Sequence, residues 1–539
     1  MKHIIINLIF LLSLYSVEND YYQDLSKSTD LFFDVYSQIN SKYVDQIVPT
    51  ELIDIGIKSM LESLDPYTVI LQGNEKSHYD DLTNGKYGGI GIYIGVSGKD
   101  KRLTVISPID DTPASKVGLR AGDQIFYIDD LSTDGMTTSD ASNYLRGDEG
   151  SRVILKIKRA SEDKLLDFEI IRETIKINNV PYSALLENNI AYIKVSQFSQ
   201  GTPDDVRTEL KKYIDQNASG VILDLRFNPG GLLKAAVDMC NIFVPKGLEI
   251  VSTRGKNDVV LSSYKTNSEP LDTEIPLVVL INESSASASE IVSGAMQDYD
   301  RGIIIGQNSF GKGLVQQIYS LTDTSAIKIT IAKYYTPSGR LIQKKDYFSG
   351  SDEKVSAIED FETVKNRRLV HSGNGIEPDV FVEAKTFSEF VAYLRMKNVF
   401  TDFVYDFYKD NNDFNYTGID DGVFSEFKSY SLKFNSEFKT KSEIVLDSMV
   451  ISLKDENLLK DYSKEIETLR EKFTDHKTSL FDINSDDIKN LLETEFSVYN
   501  YGNSSKYTIS LRDDPQVKKA VEILNDLNNF KTLLGYEEK

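Results

Sequence analysis

The chain has 539 residues, of which 40% are hydrophobic, and a formal net charge of −22. This length predicts roughly three or four domains with substantial cores. The acidic charge argues against a nucleic-acid-binding protein, because such proteins need a basic surface. With one cysteine, Cys240, and four histidines, the composition excludes a disulfide framework within the chain and disfavours metal sites rich in cysteine or histidine. We expect Cys240 to be a buried thiol.

Residues 1–17 have the pattern of a secretory signal peptide. Met1-Lys2-His3 is a charged start, and Ile4–Leu14 is an apolar run that is too short for an ordinary membrane-spanning helix. The stretch Ser13-Leu14-Tyr15-Ser16 offers small residues near a possible cleavage site. We therefore predict export to the periplasm or the cell envelope, with an uncleaved anchor as the alternative.

Two regions that flank the centre of the chain are predicted to be helical. Residues 18–85 carry apolar side chains at helical spacing, among them Leu31, Val35 and Ile39. Residues 386–539 are polar and rich in both charges, as in solvated helices. Neither region contains a pattern that points to chemistry. We expect the helical flanks to support a homo-oligomer, either a dimer or a larger ring.

Residues 86–172 predict a small β-rich domain that begins at a glycine-rich loop. This loop, Gly89-Ile90-Gly91-Ile92, precedes a strand, and further short strands follow. The order resembles a PDZ domain, and the loop stands where that family binds a terminal carboxylate. Backbone N–H groups of such a loop can hold the carboxylate while the adjacent strand edge accepts a peptide. We expect these four residues to bind a substrate C-terminus, with the side chains of Ile90 and Ile92 lining a pocket for its last residue.

Residues 173–385 alternate between apolar strands and helical patterns. Strands are predicted at 190–195, 221–225 and 277–281, and a helix follows each of them. This alternation is typical of an α/β fold. The predicted fold class of the whole chain is multidomain, α+β and α/β, with an N-terminal helical segment, the PDZ-like domain, an α/β core and a C-terminal helical extension.

A serine stands at the turn between a buried strand and a short helix. On such a turn the hydroxyl of Ser287 is exposed at the end of the sheet, and the helix N-terminus stabilises developing negative charge. The pattern Ser287-x-x-Glu290 also fits a capping box, in which the serine only satisfies a backbone N–H group. Ser285 and Ser289 are rival nucleophiles, and spacing alone leaves these alternatives open.

Two further segments supply partners for a nucleophilic serine. Residues 309–313, Ser-Phe-Gly-Lys-Gly, contain Lys312 as a candidate amine base. Gly230 and Gly231 follow the strand at 221–225, and glycine pairs in this position let backbone N–H groups approach a ligand closely. A nucleophile, a base and oxyanion donors are together the parts of an acyl-transfer site. A serine–histidine–aspartate triad is disfavoured, because histidine is scarce and no G-x-S-x-G elbow is present.

The combination and order of these segments resemble the C-terminal processing peptidases, also called tail-specific proteases. The resemblance spans roughly residues 30–385 and rests on four motifs, Asp224-Leu-Arg-Phe-Asn-Pro-Gly-Gly231, Ser285-Ala-Ser-Ala-Ser-Glu290, Ser309-Phe-Gly-Lys-Gly313 and Tyr335-Thr-Pro-Ser-Gly339. The position after the arginine of the first motif is usually asparagine in that family. It is Phe227 here, and we expect this difference to be harmless.

The resemblance implies roles for individual residues of an α/β serine-protease core. Ser287 would be the nucleophile and Lys312 the general base, with Gln316 orienting the lysine. The oxyanion would accept hydrogen bonds from the backbone N–H groups of Gly231 and Ala288.

A lysine base must be neutral to accept a proton at neutral pH, which requires apolar surroundings that lower its pKa. Phe310 and Leu314 are expected to bury Lys312 in this way. The resemblance also implies that Arg146 helps to link the PDZ-like domain to the catalytic core.

The implied activity is that of an exported serine endopeptidase that cleaves protein substrates recognised by their C-terminal tails through a serine–lysine dyad. This chemistry needs no metal and no other cofactor. The expected partners are proteins or peptides with exposed C-termini. The alternative is a catalytically silent PDZ-type peptide-binding scaffold, and the retained Ser287, Lys312 and Gln316 favour the enzyme.

Overall fold

A computed structural model describes residues 2–97, 101–159, 162, 164–347, 357–411, 414 and 416–536, with the backbone alone at residues 2–20, 78, 97, 433 and 436. The chain divides into two compact units. The first is formed by Met1–Leu71 with Gln316–Thr330, and the second by Gln72–Val315 with Ile331–Lys539. Ser287 and Lys312 therefore belong to the second unit.

The N-terminal part of the first unit is largely helical. Its elements are α1 (Lys2–Lys42), α2 (Pro49–Glu62) and β1 (Val69–Gln72). Pro49 begins α2, where its missing N–H group costs nothing. In the described part of the chain, no helix contains a stretch both long and apolar enough to cross a membrane. The signal peptide at residues 1–17 stays a prediction, because those side chains lie outside the described part.

The second unit begins with a helix and a small β-rich domain. The elements are α3 (Asn74–Asn84), β2 (Lys86–Gly89), β3 (Ile92–Ser97), β4 (Arg102–Pro108), α4 (Pro113–Lys116), β5 (Gln124–Ile128), β6 (Leu131–Ser132), α5 (Thr138–Leu145), β7 (Arg152–Lys158), β8 (Leu166–Ile171) and β9 (Glu173–Lys176). Alternate residues of β7, such as Val153 and Leu155, are fully buried in the domain core. The main sheet has the order β3-β4-β5-β7-β8, so β3 is an edge strand, and it lies beside α5. An edge strand next to a helix is the arrangement that accepts a peptide as an extra strand.

An α/β domain follows, and its strands and helices alternate as predicted. The elements are β10 (Tyr182–Leu185), β11 (Ile190–Lys194), α6 (Thr202–Asp215), β12 (Gly220–Asp224), α7 (Leu233–Cys240), β13 (Glu249–Arg254), β14 (Val260–Lys265), β15 (Leu277–Ile281), α8 (Ala288–Asp298), β16 (Ile303–Gly306), β17 (Leu314–Thr322), β18 (Ser325–Tyr335), β19 (Asp360–Glu362), β20 (Leu369–His371) and β21 (Val380–Phe381). Most of β17 and the first part of β18 belong to the first unit, which includes Gln316–Thr330. The central sheet has the order β10-β11-β12-β15-β16-β21 and is parallel from β11 to β21. Cys240 is fully buried at the end of α7, as expected.

The carboxyl ends of the central strands are aligned at one edge of the sheet. Lys194 pairs with Asp224, Asp224 pairs with Leu280, and Ile281 pairs with Gly306. The loops that leave these strands therefore start side by side. This is the edge at which open α/β sheets bind ligands, and the predicted glycine pair, serine and lysine all follow these strand ends.

Successive residues of the central strands face opposite sides of the sheet. On one side, Val221, Leu223 and Val279 pack in a core with side chains of α6, α7 and α8. On the other side, Ile222 and Val278 pack against side chains from the end of the chain, namely Leu511, Val517, Ala520, Ile523, Leu524, Phe530 and Leu534. The last part of the predicted C-terminal extension thus covers one face of the central sheet, which gives the domain three layers.

The remainder of the chain is helical, as predicted. Its helices are α9 (Glu389–Met396), α10 (Val399–Asp410), α11 (Asp421–Glu437), α12 (Lys441–Asp455), α13 (Ser463–Ile483), α14 (Ser485–Tyr501), α15 (Ser505–Ser510), α16 (Pro515–Asn525) and α17 (Leu527–Leu533). Aromatic side chains dominate the core of α9–α14. The ring centroids of Phe403 and Phe427 are 5.2 Å apart, and those of Phe390 and Phe481 are 5.0 Å apart. The predicted fold class, with both helical and mixed parts, is confirmed.

Shortening one side chain tests whether the end of the chain is part of the α/β core. Ile523 on α16 is fully buried against the central sheet, so Ile523→Ala should lower the free energy of unfolding by about 2–5 kcal/mol. Chemical denaturation measures the change. Ile451→Ala is the control, because Ile451 is 63% exposed and its truncation should matter little. Equal stability of Ile523→Ala and the wild type would contradict the packing of α16 against the central sheet.

Candidate active site

Ser287 lies at the turn between β15 and α8 and has a strained backbone. Its φ of 54° and ψ of −110° lie outside the conformations that serine ordinarily adopts. Ser287 and Glu290 are arranged as in a capping box, but only one half has hydrogen-bond geometry. The Ser287 N–H group donates to Glu290 Oε2 at 2.7 Å, whereas the Ser287 side chain makes no capping hydrogen bond. The hydroxyl is therefore not used to cap the helix.

The two rival serines are buried and bonded to backbone carbonyl groups. Ser285 Oγ donates to the carbonyl oxygen of Leu225 at 2.9 Å, and Ser289 Oγ donates to that of Asn228 at 2.9 Å. Both residues are fully buried, whereas Ser287 is half-buried. A hydroxyl bonded to a buried carbonyl is poorly placed to attack a substrate, so the geometry favours Ser287 among the three.

Gly230 and Gly231 lie directly against the serine turn. A Cβ atom on Gly230 would stand 2.9 Å from the backbone nitrogen of Ala288 and 3.0 Å from the Cβ atom of Ser287. The φ values of the two glycines, 101° and 145°, also require residues without a Cβ atom. Among the described residues, the N–H groups of Gly231 and Ala288 have no acceptor. Two available donors beside a serine are what an oxyanion hole needs.

Lys312 lies in the loop between β16 and β17, and this loop contacts the serine turn. The Phe310 N–H group donates to the carbonyl oxygen of Ser285 at 3.1 Å. The side chain of Lys312 is half-buried. Of the two neighbours expected to bury it, Leu314 is buried, but Phe310 is 47% exposed. The backbone of Phe310 is fixed by the serine turn and its side chain is about half exposed, and its part in burying Lys312 stays a prediction.

The buried carboxylate of Glu290 joins the serine turn to the lysine loop. Its Oε2 atom accepts hydrogen bonds from the N–H groups of Ser287 at 2.7 Å and Lys312 at 3.0 Å. Its Oε1 atom accepts from Ser309 Oγ at 2.6 Å and the Gly311 N–H group at 2.7 Å. Complete burial raises the pKa of Glu290 to about 7, although these hydrogen bonds oppose the shift. One side chain thus fixes the backbone at both predicted catalytic positions.

From the sequence, Glu290 is predicted only as half of a capping box. Its bonds to Ser309, Gly311 and Lys312 join residues that are 19 to 22 positions away, and no local pattern reports such contacts. The available signal is weak: Glu290 is a lone charge in the stretch 288–297, which is otherwise uncharged.

A second charged cluster lies at the end of β12. Asp224 accepts hydrogen bonds from Lys194 Nζ at 3.0 Å, Tyr192 Oη at 2.6 Å and Arg226 Nη2 at 2.6 Å. Burial opposes ionisation, but the charges of Arg226 and Lys194 hold the pKa of Asp224 well below its usual range. Arg226 Nη1 also donates to Asp514 Oδ2 at 2.7 Å. The cluster thus ties the start of the glycine loop to the residue that precedes α16.

Two predicted residues make contacts in other parts of the chain. Gln316 lies on β17, and its Nε2 atom donates to Thr330 Oγ1 at 3.2 Å within the first unit. Arg146 ends α5, pairs with Asp81 on α3 at 2.6 Å and lies over the ring of Tyr87 at 4.8 Å. Among the described residues, no group of three or more histidine, cysteine, aspartate or glutamate side chains is arranged to hold a metal ion.

The glycine-rich loop of the β-rich domain offers backbone donors. Gly89 ends β2, and Gly91 has a φ of 78°. The N–H groups of Ile90 and Gly91 have no acceptor in the described part of the chain. The side chain of Ile90 is only 2% exposed and belongs to the domain core, so it cannot line an open pocket as expected. Ile92 is half-buried at the start of β3.

Comparison with known families agrees with this arrangement of domains. Residues 189–350 match peptidase family S41, residues 104–159 match a PDZ domain, and residues 390–524 match the C-terminal helical domain of probable PDZ-proteases. The chain is therefore a peptidase that contains a PDZ domain.

Individual relatives extend the comparison beyond single domains. A carboxy-terminal-processing protease of Bartonella bacilliformis is 40% identical over 332 residues, which are 61% of this chain and 75% of that protein. The carboxy-terminal processing protease CtpA of Bacillus subtilis is 36% identical over 311 residues, 58% of this chain and 66% of that protein. A solved photosystem II D1 C-terminal processing protease aligns with 66% of this chain and 92% of its own, at 26% identity and a TM-score of 0.35.

The extent and identity of the first of these matches establish the family. The chain belongs to the carboxy-terminal-processing proteases of peptidase family S41. The family predicted from the four sequence motifs is confirmed.

The buried carboxyl group of Glu290 predicts a pH dependence of stability. Because its pKa of about 7 in the folded chain lies above its ordinary value near 4.5, the folded state binds this proton more tightly than the unfolded state. The stabilisation is complete below about pH 4.5 and is lost as the pH rises through about 7. Over this range the unfolding free energy of the wild type should fall relative to that of Glu290→Gln, by on the order of 3 kcal/mol.

Urea denaturation at several pH values measures this difference. Glu283→Gln is the matched control for the substitution itself, because Glu283 is exposed. A constant difference between wild type and Glu290→Gln from pH 4.5 to 8 would contradict a raised pKa for Glu290.

Proposed function

We propose that this peptidase is a serine endopeptidase in which Ser287 is the nucleophile and Lys312 the general base. The observation that carries the proposal is that one oxygen atom of Glu290 accepts hydrogen bonds from the backbone of both residues. The burial of Ser285 and Ser289 supports the choice of Ser287. Membership of a protease family makes peptide bonds the expected target.

In the proposed reaction, the neutral amine of Lys312 takes the proton of Ser287 Oγ as this oxygen attacks a peptide carbonyl. The N–H groups of Gly231 and Ala288 and the N-terminus of α8 stabilise the charge that develops on the carbonyl oxygen. The lysine then gives its proton to the leaving amine, and water hydrolyses the acyl-enzyme by the same steps in reverse. The family resemblance assigns Gln316 the role of orienting the lysine. None of these steps requires a metal or a cofactor.

We further propose that the PDZ domain selects protein or peptide substrates by their free C-termini. The available N–H groups of Ile90 and Gly91 and the edge strand β3 support this role. Ile90 would act through its backbone, because its side chain is buried. Export guided by residues 1–17 and assembly into a homo-oligomer are also proposed, and both rest on the sequence pattern.

Removing either member of the dyad should abolish turnover without unfolding the chain. Both side chains are only partly buried, so Ser287→Ala and Lys312→Ala should keep the circular dichroism spectrum and the melting temperature. Cleavage of an unfolded protein substrate should fall by about 1,000-fold or more, because the nucleophile or its base is missing. Lys518→Ala, at an exposed position on α16, is the control and should cleave normally.

The same measurement separates the enzyme from a catalytically silent PDZ-type scaffold. If the protein is a scaffold, the wild type should bind peptides but cleave them no faster than Ser287→Ala does. Near-normal cleavage by Lys312→Ala would show that the dyad assignment is wrong.

Capture of the C-terminus predicts a preference for a free carboxylate. Amidation of a substrate peptide's C-terminus removes the negative charge, and it should lower kcat/KM by about tenfold or more if charge-assisted hydrogen bonds hold that group. The test compares one peptide as free acid and as amide at fixed salt concentration. Acetylation of the same peptide's N-terminus is the control and should have little effect. Equal efficiency for acid and amide would remove the capture role and leave the PDZ domain as a scaffold.

A further inference from the structure

Phe227 has a backbone conformation that phenylalanine rarely adopts. Its φ is 59°, in the left-handed region where a Cβ atom crowds the following carbonyl oxygen. Of the fourteen described non-glycine residues with positive φ, ten are asparagine or aspartate, the types that tolerate this region best. Phe227 is the one aromatic residue among these fourteen. An asparagine would suit this conformation better than phenylalanine, so phenylalanine is expected to cost stability here.

Packing of the Phe227 side chain offsets little of this loss of stability. The ring is 68% exposed. The Nζ atom of Lys194 lies 6.0 Å from its centroid, at the outer limit of a cation–π contact. The backbone is well fixed, because the Phe227 N–H group donates to the buried Asn282 Oδ1 atom at 2.9 Å. The fold thus holds the backbone of Phe227 in place and leaves its ring in solvent.

Phe227 stands beside the serine turn. The carbonyl oxygen of the next residue, Asn228, accepts hydrogen bonds from the Ala286 N–H group at 3.1 Å and from Ser289 Oγ at 2.9 Å. These two donors lie on either side of Ser287 in the chain. The loop that carries the exposed ring is therefore bonded to the turn that carries the proposed nucleophile.

A second exposed phenylalanine is attached to the same turn. The Phe310 N–H group donates to the carbonyl oxygen of Ser285, and its ring is 47% exposed. Phe227 is bonded to the Asn282 side chain, three residues earlier. The segment 282–285 therefore connects two solvent-facing aromatic residues at the edge of the sheet where Ser287 lies.

We propose that Phe227, together with Phe310, forms an apolar subsite for a substrate side chain next to the scissile bond. The substrates favoured by this subsite are unfolded polypeptides with a large aliphatic or aromatic residue at that position. Bound substrate would cover the ring of Phe227, and this role explains why a strained and exposed phenylalanine stands at this position. The inference rests on the proposed function and names a specificity residue for it.

The test measures side-chain preference and stability in the same variants. Cleavage sites mapped by mass spectrometry in an unfolded protein define peptide pairs with leucine or serine beside the scissile bond. The wild type should cleave the leucine peptide with a kcat/KM about tenfold or more above that of the serine peptide. Phe227→Asn should largely remove this preference and raise the melting temperature, because asparagine tolerates a positive φ. Phe227→Tyr keeps the ring and should keep the preference.

Arg367→Asn is the matched control for the backbone effect. Arg367 is also exposed at a positive φ of 58°, but it lies in the loop between β19 and β20 and not in a loop that carries Phe227, Ser287 or Lys312. This variant should leave the leucine-to-serine ratio unchanged, whatever its effect on the melting temperature.

Three outcomes would overturn the subsite. The wild type could lack an apolar preference, Phe227→Asn could retain it, or Phe227→Asn could slow both peptides equally. Each of these would leave the serine–lysine proposal intact. If the wild type cleaves neither the unfolded protein nor the peptides, the proposed function fails, and the subsite fails with it.

Discussion

The arrangement of the candidate active site depends on one buried carboxylate. Glu290 lies in the first turn of α8 and accepts four hydrogen bonds, one from Ser287 in the serine turn and three from the lysine loop. Burying a charge is costly unless hydrogen bonds replace water. These donors come from the serine turn and from the lysine loop, and Glu290 fixes the two backbones relative to each other. The strained backbone of Ser287 can persist because this network over-determines it.

The parallel sheet brings the parts of the site together. Because the strands end in register, the glycine loop after β12, the serine turn after β15 and the lysine loop after β16 all begin at one edge. The end of the chain completes this core, since its apolar side chains cover the second face of the sheet. Arg226 adds a polar connection by bonding both Asp224 and Asp514. The geometry of the edge therefore depends on residues almost three hundred positions apart.

Much of this organisation is predictable from sequence, because it follows from local sequence patterns. Apolar strands, helical spacing and the motifs around Ser287, Lys312 and Gly231 predict the α/β core, the PDZ domain and the protease family. Local patterns cannot report contacts between distant segments. For this reason the sequence indicates Glu290 only as a cap, and residues 511–534 only as part of a solvated extension. Exposure is equally hidden: Phe310 and Ile90 are both apolar, yet one extends into solvent and the other is buried.

The most direct test of the central claim is the site of covalent labelling by a fluorophosphonate, a reagent that modifies activated serine hydroxyls. The labelled residue is located by mass spectrometry of the digested protein. The account predicts an adduct on Ser287 in the wild type and a strongly reduced labelling rate in folded Lys312→Ala. An adduct on Ser285 or Ser289, or equal labelling rates in the wild type and Lys312→Ala, would contradict it.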